Sequence, residues 1–277
     1  MTLDVLISTF GYDGIQRVIA MDLPVVDNVR YIISWQLPDK DNFPGKVPAE
    51  LIRNDIKVFQ LNNRGLSINR NNAIEHSTAD ICLVADDDLK YTPQQLAQVI
   101  ATFEENPEVE LATFRQSGGN NKKYPDYSFD LKERPKNYYI TSFEIAFRRD
   151  AANGELRFNE LLGLGSHLLQ ANEEGIFIHQ ALCKGVKCRF FPITIVHHEG
   201  ITTGYRKMTP GGLMAEGAYI GIVFRNTALL RIPLFAWRNS RRGLTKMFPA
   251  MRHLWKGYIY GKRYFNKDGS LKRQPPM

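Results

Sequence analysis

The sequence predicts an α/β fold: a mostly parallel central sheet flanked by helices, followed by a helical basic C-terminal extension. Three observations carry that expectation. Short apolar, β-branched runs alternate with helix-like segments, the pattern of parallel strands joined by crossover helices. One such run, Ile81-Cys82-Leu83-Val84-Ala85, ends abruptly in Asp86-Asp87-Asp88, and open α/β sheets bind ligands at the C-terminal ends of their strands. Charge is also divided unevenly. The chain of 277 residues carries +7 overall, but residues 205–277 hold fifteen Lys and Arg against two acids, which leaves residues 1–204 at −6.

The elements follow in chain order. Residues 4–10 read as the first strand, followed by a turn at Gly11-Tyr12-Asp13-Gly14 and a short helix over 15–21. A second strand covers 31–35, and the Pro, Asp and Gly of 37–48 make a loop. A third strand covers 56–61. The helix over 67–76 takes Ser67 as its cap, and the fourth strand covers 80–85. The helix over 92–106 has the strongest local signal, with Thr92 as N-cap and Pro93 in its first turn. A strand follows at 111–114. The polar stretch 116–136 reads as one long loop. Strands at 141–147 and 189–196 bracket a helix over 173–183. No internal repeat is visible. The organisation expected is an α/β domain over 1–204 and a basic, aromatic extension over 205–277.

Composition narrows the function. A hydrophobic content of 43% belongs to a folded protein. The three cysteines, Cys82, Cys183 and Cys188, are odd in number and lack CxxC spacing. That argues against a disulfide framework or a zinc site and for a reduced, cytoplasmic compartment. The N-terminus runs straight into a strand, so no signal peptide is expected. The extension mixes eleven aromatics with its fifteen cations. Its most apolar run, 218–237, is interrupted by Arg225 and Arg231, so no window reaches the ~18 uncharged residues of a spanning helix. Basic residues mixed with Trp, Phe and Leu suit a helix lying on anionic lipid. The same composition also suits RNA, or a subdomain packing its aromatics on the core.

The acidic triplet carries the chemistry. On extended backbone Asp86 and Asp88 point to one side and Asp87 to the other. Crowded carboxylates need a cation, and hard oxygen ligands select Mg²⁺ or Mn²⁺, ions that bring substrate phosphates with them. Upstream, Asn62-Asn63-Arg64-Gly65-Leu66-Ser67-Ile68-Asn69-Arg70-Asn71 opens a helix with Arg70 and Asn71 in its first turns. Helix starts and guanidinium forks are anion sites.

A strand, then Gly65-x-Ser67-x-x-Arg70-Asn71, then a helix and an apolar strand ending in Asp86-Asp87-Asp88 resembles the family 2 glycosyltransferases of the GT-A fold. The resemblance covers roughly residues 3–200. It implies an inverting, metal-dependent transfer of a sugar from a nucleoside diphosphate, with uridine the family's usual base. The acceptor would be a saccharide or lipid-linked saccharide in surface polysaccharide biosynthesis. Thr9, Phe10, Asp13, Arg70, Asn71, Asp86 and Asp87 would face the nucleotide. Asp88 and Asp86 would serve Mn²⁺ or Mg²⁺. Val196-His197-His198 would add a metal-binding histidine before the glycine-bounded stretch 200–204; His197 is favoured, with His198 open. Gly163, Gly165 and Ser166 resemble the family's acceptor-side loop. Asn172-Glu173-Glu174 resembles its Glu-Asp motif with Glu174 in place of Asp, so either Glu174 or Glu173 would be the general base. Two competitors remain. One is another Mg²⁺ enzyme, a nucleotidyltransferase or a phosphohydrolase, although Lys90 departs from the aspartyl phosphatase pattern. The other is a nucleic-acid-binding protein, which leaves the acids unexplained. The setting expected is cytoplasmic, peripheral on the inner face of the cytoplasmic membrane.

Overall fold

The computed structural model describes residues 1–37, 43–118, 122–199 and 208–275. Residues 38–42 of the first predicted loop, 119–121 of the second, the 200–204 stretch and the 204/205 boundary lie outside the described residues. The chain forms two compact units. The first holds Met1–Arg64, Ile68–Arg157 and Lys184–Ile201; the second holds Gly65–Ser67, Phe158–Cys183 and Thr202–Met277.

The first unit is built on one sheet of eight strands. These are β1 (Leu3–Phe10), β2 (Val29–Gln36), β3 (Ile56–Leu61), β4 (Ile81–Asp86), β5 (Leu111–Gly118), β6 (Phe129–Asp130), β7 (Ile145–Arg148) and β8 (Cys188–His198). Their order is β3-β2-β1-β4-β7-β5-β8-β6. Pairing is parallel from β3 through β4 and between β5 and β8. It is antiparallel where β7 lies between β4 and β5, and at β6. The fold is the α/β, mainly parallel arrangement that the alternation of elements predicts. β1, β2 and β4 are nearly continuous apolar runs because both faces of the sheet are covered. The chain leaves β1 for β2 on one side and later returns to β4 on the other. Strand order therefore reverses at the β1–β4 pair, the position at which open α/β sheets form their ligand crevice beyond the strand ends. Ser8 pairs with Asp86, which sets the acidic triplet on that rim.

Local chemistry accounts for the helices of this unit. α3 (Pro93–Glu105) begins with a complete capping box, Thr92 and Gln95 each satisfying the other's backbone N–H. α2 is Leu66–His76. It starts one residue earlier than expected, so Ser67 lies inside its first turn and does not cap it. The Ser67 hydroxyl instead donates to the carbonyl of Leu162 at 2.7 Å. α1 is Gly11–Ala20, directly after β1. The predicted Gly11–Gly14 turn is thus its first turn. Gly14 acts there as a helical contact residue, buried where a side chain would strike Thr9, and Ile15 and Val18 continue the buried face. The predicted loop 116–136 is partly regular. β5 runs on to Gly118 because β8 offers pairing partners past Phe114, through register shifts at Arg115. β6 and a short 3-10 turn at Leu131–Glu133 occupy the other end. The expected strand 141–147 opens as a 3-10 turn, Ser142–Glu144, before β7.

A buried charge at the opposite end of β1 is fully paired. Asp4 is sealed from solvent and accepts from Arg30 Nε and Nη2, Ser77 Oγ, and the N–H groups of Thr78 and Ala79, all within 3.1 Å.

The second unit contains α4 (Glu173–Cys183), α5 (Pro210–Val223), α6 (Ala228–Arg241) and α7 (Met247–Tyr264). α5 and α7 pack backbone to backbone through Gly217, Gly221, Gly257 and Gly261. A Cβ at Gly217 would overlap the carbonyl of Leu254, and one at Gly257 the carbonyl of Met214. Arg225 ties the ends of both helices, donating to Gly221 O at 2.9 Å and Phe265 O at 2.8 Å. Among the described residues no single helix is long and apolar enough to cross a membrane; α5 and Arg225–Arg241 meet that test only together, bent by 112°. Replacing Gly257 with Ala should force α5 and α7 apart and cost about 2–3 kcal/mol, the usual penalty of overpacking. A lowered midpoint of urea unfolding checks this.

Candidate active site

The crevice at the β1–β4 switch gathers the acidic triplet, and each carboxylate has its own partner. Arg70, on α2 and 2% exposed, donates from Nη2 to Asp86 Oδ1 at 2.9 Å and to Ser142 Oγ at 2.7 Å. β4 ends at Asp86, so Asp87 and Asp88 lie in a turn and not on the extended backbone expected for the triplet, and Asp87 has partners of its own. It accepts from Thr9 Oγ1 at 2.6 Å and from Arg17 Nε and Nη2 at 3.0 and 2.9 Å. Burial pushes the Asp87 carboxyl above its ordinary range, while Arg17 and Thr9 pull it back. With both oxygens engaged, Asp87 braces α1 and β1 against the end of β4. Asp88 is half exposed, and its Oδ2 lies 3.3 Å from Nε2 of the buried His198.

β8 delivers that histidine. Lys90 and His197 exchange backbone hydrogen bonds of 2.9 and 3.0 Å, an isolated bridge just past the triplet. The strand alternation then turns the two histidines apart. His198 faces Asp88 and packs near the Phe143 ring. His197 turns to Ser117 Oγ at 3.0 Å and to Glu199 at 3.6 Å. The structure therefore brings His198 to the acids, not the favoured His197. The two residues after a strand look alike in sequence, and only the pleat separates them.

The Asp88–His198 pair fits a divalent cation. Two neighbouring ligands of an octahedral Mg²⁺-type ion, each ~2.1 Å from it, stand about 3 Å apart, close to the 3.3 Å found here. His198 Nδ1 is buried without a hydrogen-bond partner, so the contact its ring nitrogens make is the one from Nε2 to Asp88. No group of three or more His, Cys, Asp or Glu that could hold a metal occurs among the described residues. Such a pair would leave the remaining positions to substrate phosphate and water, the usual arrangement for Mg²⁺.

β1, α1 and α2 bring further residues to the ends of these strands. Phe10, the last residue of β1, and Tyr12 are exposed aromatics, with the Arg64 guanidinium 5.8 Å from the Phe10 ring. Asp13 sits exposed in the first turn of α1. Asn69 donates to the Thr9 carbonyl at 2.9 Å, and Asn71 is half-buried beside it on α2. Sequence reading missed Arg17, Asn69 and Ser142. Asn69 shares the Asn69-Arg70-Asn71 run and was within reach; nothing local marks Arg17 or Ser142. Ser142 is positioned by a buried ion pair. Glu144, sealed from solvent, accepts from Lys122 Nζ at 2.6 and 2.7 Å, from Tyr124 OH at 2.5 Å and from the Thr141 N–H at 3.1 Å. Burial pushes the Cys82 and Cys188 thiols up to about 12, which removes both as nucleophiles.

The remaining candidates lie together in the second unit. Glu173 and Glu174 open α4, where the helix dipole favours acids. Glu173 is 8% exposed and its carboxyl packs against Gly163, whose φ of +100° and lack of a side chain leave room for both it and Ser67. Glu174 is half-buried. The loop is held by its own bonds: Gly163 N–H to Leu169 O at 2.9 Å, Ser166 N–H to Gly163 O at 3.1 Å, and Ser166 Oγ to Leu169 O at 2.8 Å. Gly165 also adopts a positive φ.

Comparison with known proteins follows the same lines. No curated protein matches the chain. Among solved structures, residues 1–349 of S. aureus TarS align over 96% of this chain and 93% of that one, at 14% identity and a TM-score of 0.59; TarS has also been solved with UDP and with UDP-GlcNAc. The mannosyltransferase PcManGT from Pyrobaculum calidifontis, solved with GDP-Man and Mn²⁺, aligns over 94% and 86% at 13% identity and a TM-score of 0.58. At such identities the likeness is one of fold. Residues 46–154, which carry β3, α2, the acidic triplet and Ser142, match the glycosyl transferase family 2 model, on a fold of the GT-A type.

Proposed function

We propose that the protein is an inverting, metal-dependent glycosyltransferase that moves a sugar from a nucleoside diphosphate, uridine first among the bases, to a hydroxyl of a saccharide or lipid-linked saccharide. The observation that carries this reading is the Asp88–His198 pair at the strand-order switch, 3.3 Å apart and poised for a divalent ion. The nucleotide sugars bound by TarS and PcManGT support the donor class. A surface polysaccharide is the acceptor class proposed, assembled on the inner face of the cytoplasmic membrane, where nucleotide sugars are made.

In this mechanism Asp88 and His198 would hold Mn²⁺ or Mg²⁺, and the ion would supply charge neutralisation for the leaving diphosphate. Arg70 fixes Asp86 and lends positive potential to the same rim. Thr9, Phe10, Asp13 and Asn71 line the nucleotide side, with the exposed Phe10 ring available for stacking. Glu174 takes the proton from the attacking acceptor hydroxyl, with Glu173 as the alternative. The greater exposure of Glu174 favours it, since a general base has to reach the substrate. Gly163, Gly165 and Ser166 present backbone to the acceptor.

Three outcomes check the reading. Asp88→Ala and His198→Ala should each abolish Mn²⁺-dependent binding of UDP in calorimetry; unchanged affinity in both removes the pair as ligands. Asp87→Ala should behave differently, because it strands Arg17 and Thr9. It should cost about 2 kcal/mol of stability, whereas Asp88→Ala should stay within about 0.5 kcal/mol, as urea melts of both will read. Glu174→Gln should retain donor binding and lose ~10²–10⁴ in transfer rate. Normal transfer by Glu174→Gln beside a dead Glu173→Gln would reassign the base to its neighbour.

A further inference from the structure

Helix α6 has more apolar surface than the fold uses. Its buried stripe is Ala228, Ile232, Ala236 and Asn239. Opposite this stripe, Leu230, Leu234 and Trp237 are 76%, 50% and 50% exposed, and Leu229, on its flank, is 74% exposed. Spacings of three and four residues align Leu230, Leu234 and Trp237 as a ridge along the helix. Just past the helix, Leu244 and Phe248 continue the exposed apolar surface, Phe248 at 80%. Single exposed apolar residues are ordinary; a contiguous ridge of Leu and Trp marks an interaction surface.

A cleft of roughly 300 Å³ runs beside that ridge, between α5 and α6. Arg231, Arg238 and Arg242 line it from one side of α6, at spacings of seven and four residues that place them in a row. Ile220, Phe224 and Phe235 give it an apolar floor, and Leu234 belongs to both cleft and ridge. The Arg231 guanidinium stacks on the Phe224 ring at 3.8 Å and donates to Thr227 at 2.9 Å, which fixes its direction. Glu216 is the one acid on the lining. Three guanidiniums over an apolar floor match a phosphate diester on an acyl chain.

We propose that α6 and the start of α7 dock on an anionic phospholipid bilayer, with the arginine-lined cleft as the head-group phosphate site and Leu230, Leu234 and Trp237 entering the acyl region. Charge complementarity selects this occupant over a second copy of the chain. Residues 205–277 carry +13, and Arg241, Arg242 and Lys246 surround the ridge as exposed cations, so two such faces would repel. An anionic membrane would attract each basic residue near it and admit the ridge in the same geometry.

The test uses the whole chain, without nucleotide sugar, and vesicles of phosphatidylcholine with or without phosphatidylglycerol. The protein should co-sediment with the anionic vesicles and hardly at all with the neutral ones. Trp237 fluorescence should shift to the blue and be quenched by brominated acyl chains, a signal that Trp237→Phe should remove. Arg238→Gln with Arg242→Gln should weaken partitioning roughly fivefold per arginine. Leu230→Ser with Leu234→Ser should leave binding that high salt abolishes. All four positions are exposed, so unchanged thermal unfolding will show the variants folded. Three results would overturn the proposal: no binding to anionic vesicles at low salt, equal binding by the arginine variant, or a concentration-dependent dimer that Leu234→Glu dissolves. RNA binding without vesicle binding would overturn it as well.

Discussion

Three adjacent carboxylates at one strand end repel one another, and the arrangement of the first unit follows from how that repulsion is relieved. At ~5 Å and an effective dielectric near 20, each pair costs about 3 kcal/mol. β4 ends at Asp86, and the turn that follows carries Asp87 and Asp88 to different neighbours. Each acid then meets a separate basic group from a separate element: Arg70 of α2 for Asp86, Arg17 of α1 for Asp87, and His198 of β8 for Asp88. The three elements that converge on the crevice are thereby fixed to its rim. The partners differ in kind, and so do the consequences. Two permanent guanidiniums neutralise Asp86 and Asp87 outright. The imidazole leaves Asp88 only weakly satisfied, at a distance long for a hydrogen bond.

The supports of this rim reach deep into the sheet. Arg70 is held by Ser142, and Ser142 by the turn that Glu144 anchors through Lys122 and Tyr124. A buried ion pair of this sort adds little net stability, since desolvation offsets its attraction. Its effect is to specify one position for the turn, and so for Arg70. β7 makes the same point about topology. It enters antiparallel between β4 and β5, which lets the chain pass from Ser142, beside the rim, straight back into the sheet.

The second unit combines a tightly specified interior with a loosely satisfied exterior. Four glycines allow α5 and α7 to touch along their backbones, and Arg225 ties their ends. That interior makes no use of the outer side of α6, where leucines and a tryptophan remain in solvent between arginines. The aromatics of the basic extension thus divide into two classes. Tyr264 and Phe265 are core, while Trp237 and Phe248 are surface.

By itself the sequence determined the strands and helices whose periodicity is strong. β3 and α4 are found over the expected residues, and α3 with the Thr92 cap foreseen for it. It also determined that the acids end a buried strand, because an apolar run stopping at three aspartates allows little else. The order Gly65, Ser67, Arg70, Asn71 and the triplet was enough to point to the family model that residues 46–154 match, since those residues are close in sequence. Tertiary structure decided whatever depends on distant segments meeting. Glycine read as a chain breaker at Gly14, yet it is a contact residue against Thr9, and only packing distinguishes the two. β5 outran its apolar stretch because β8 lay alongside to pair with it. The choice of His198 over His197 came from the bridge to Lys90 and the pleat of β8, a difference of one residue that rotates a side chain to the opposite face. Arg17 and Ser142 stand 70 and 72 residues from the groups they bind. No local pattern encodes such a pairing, because its physical cause is the fold that closes the loop between them.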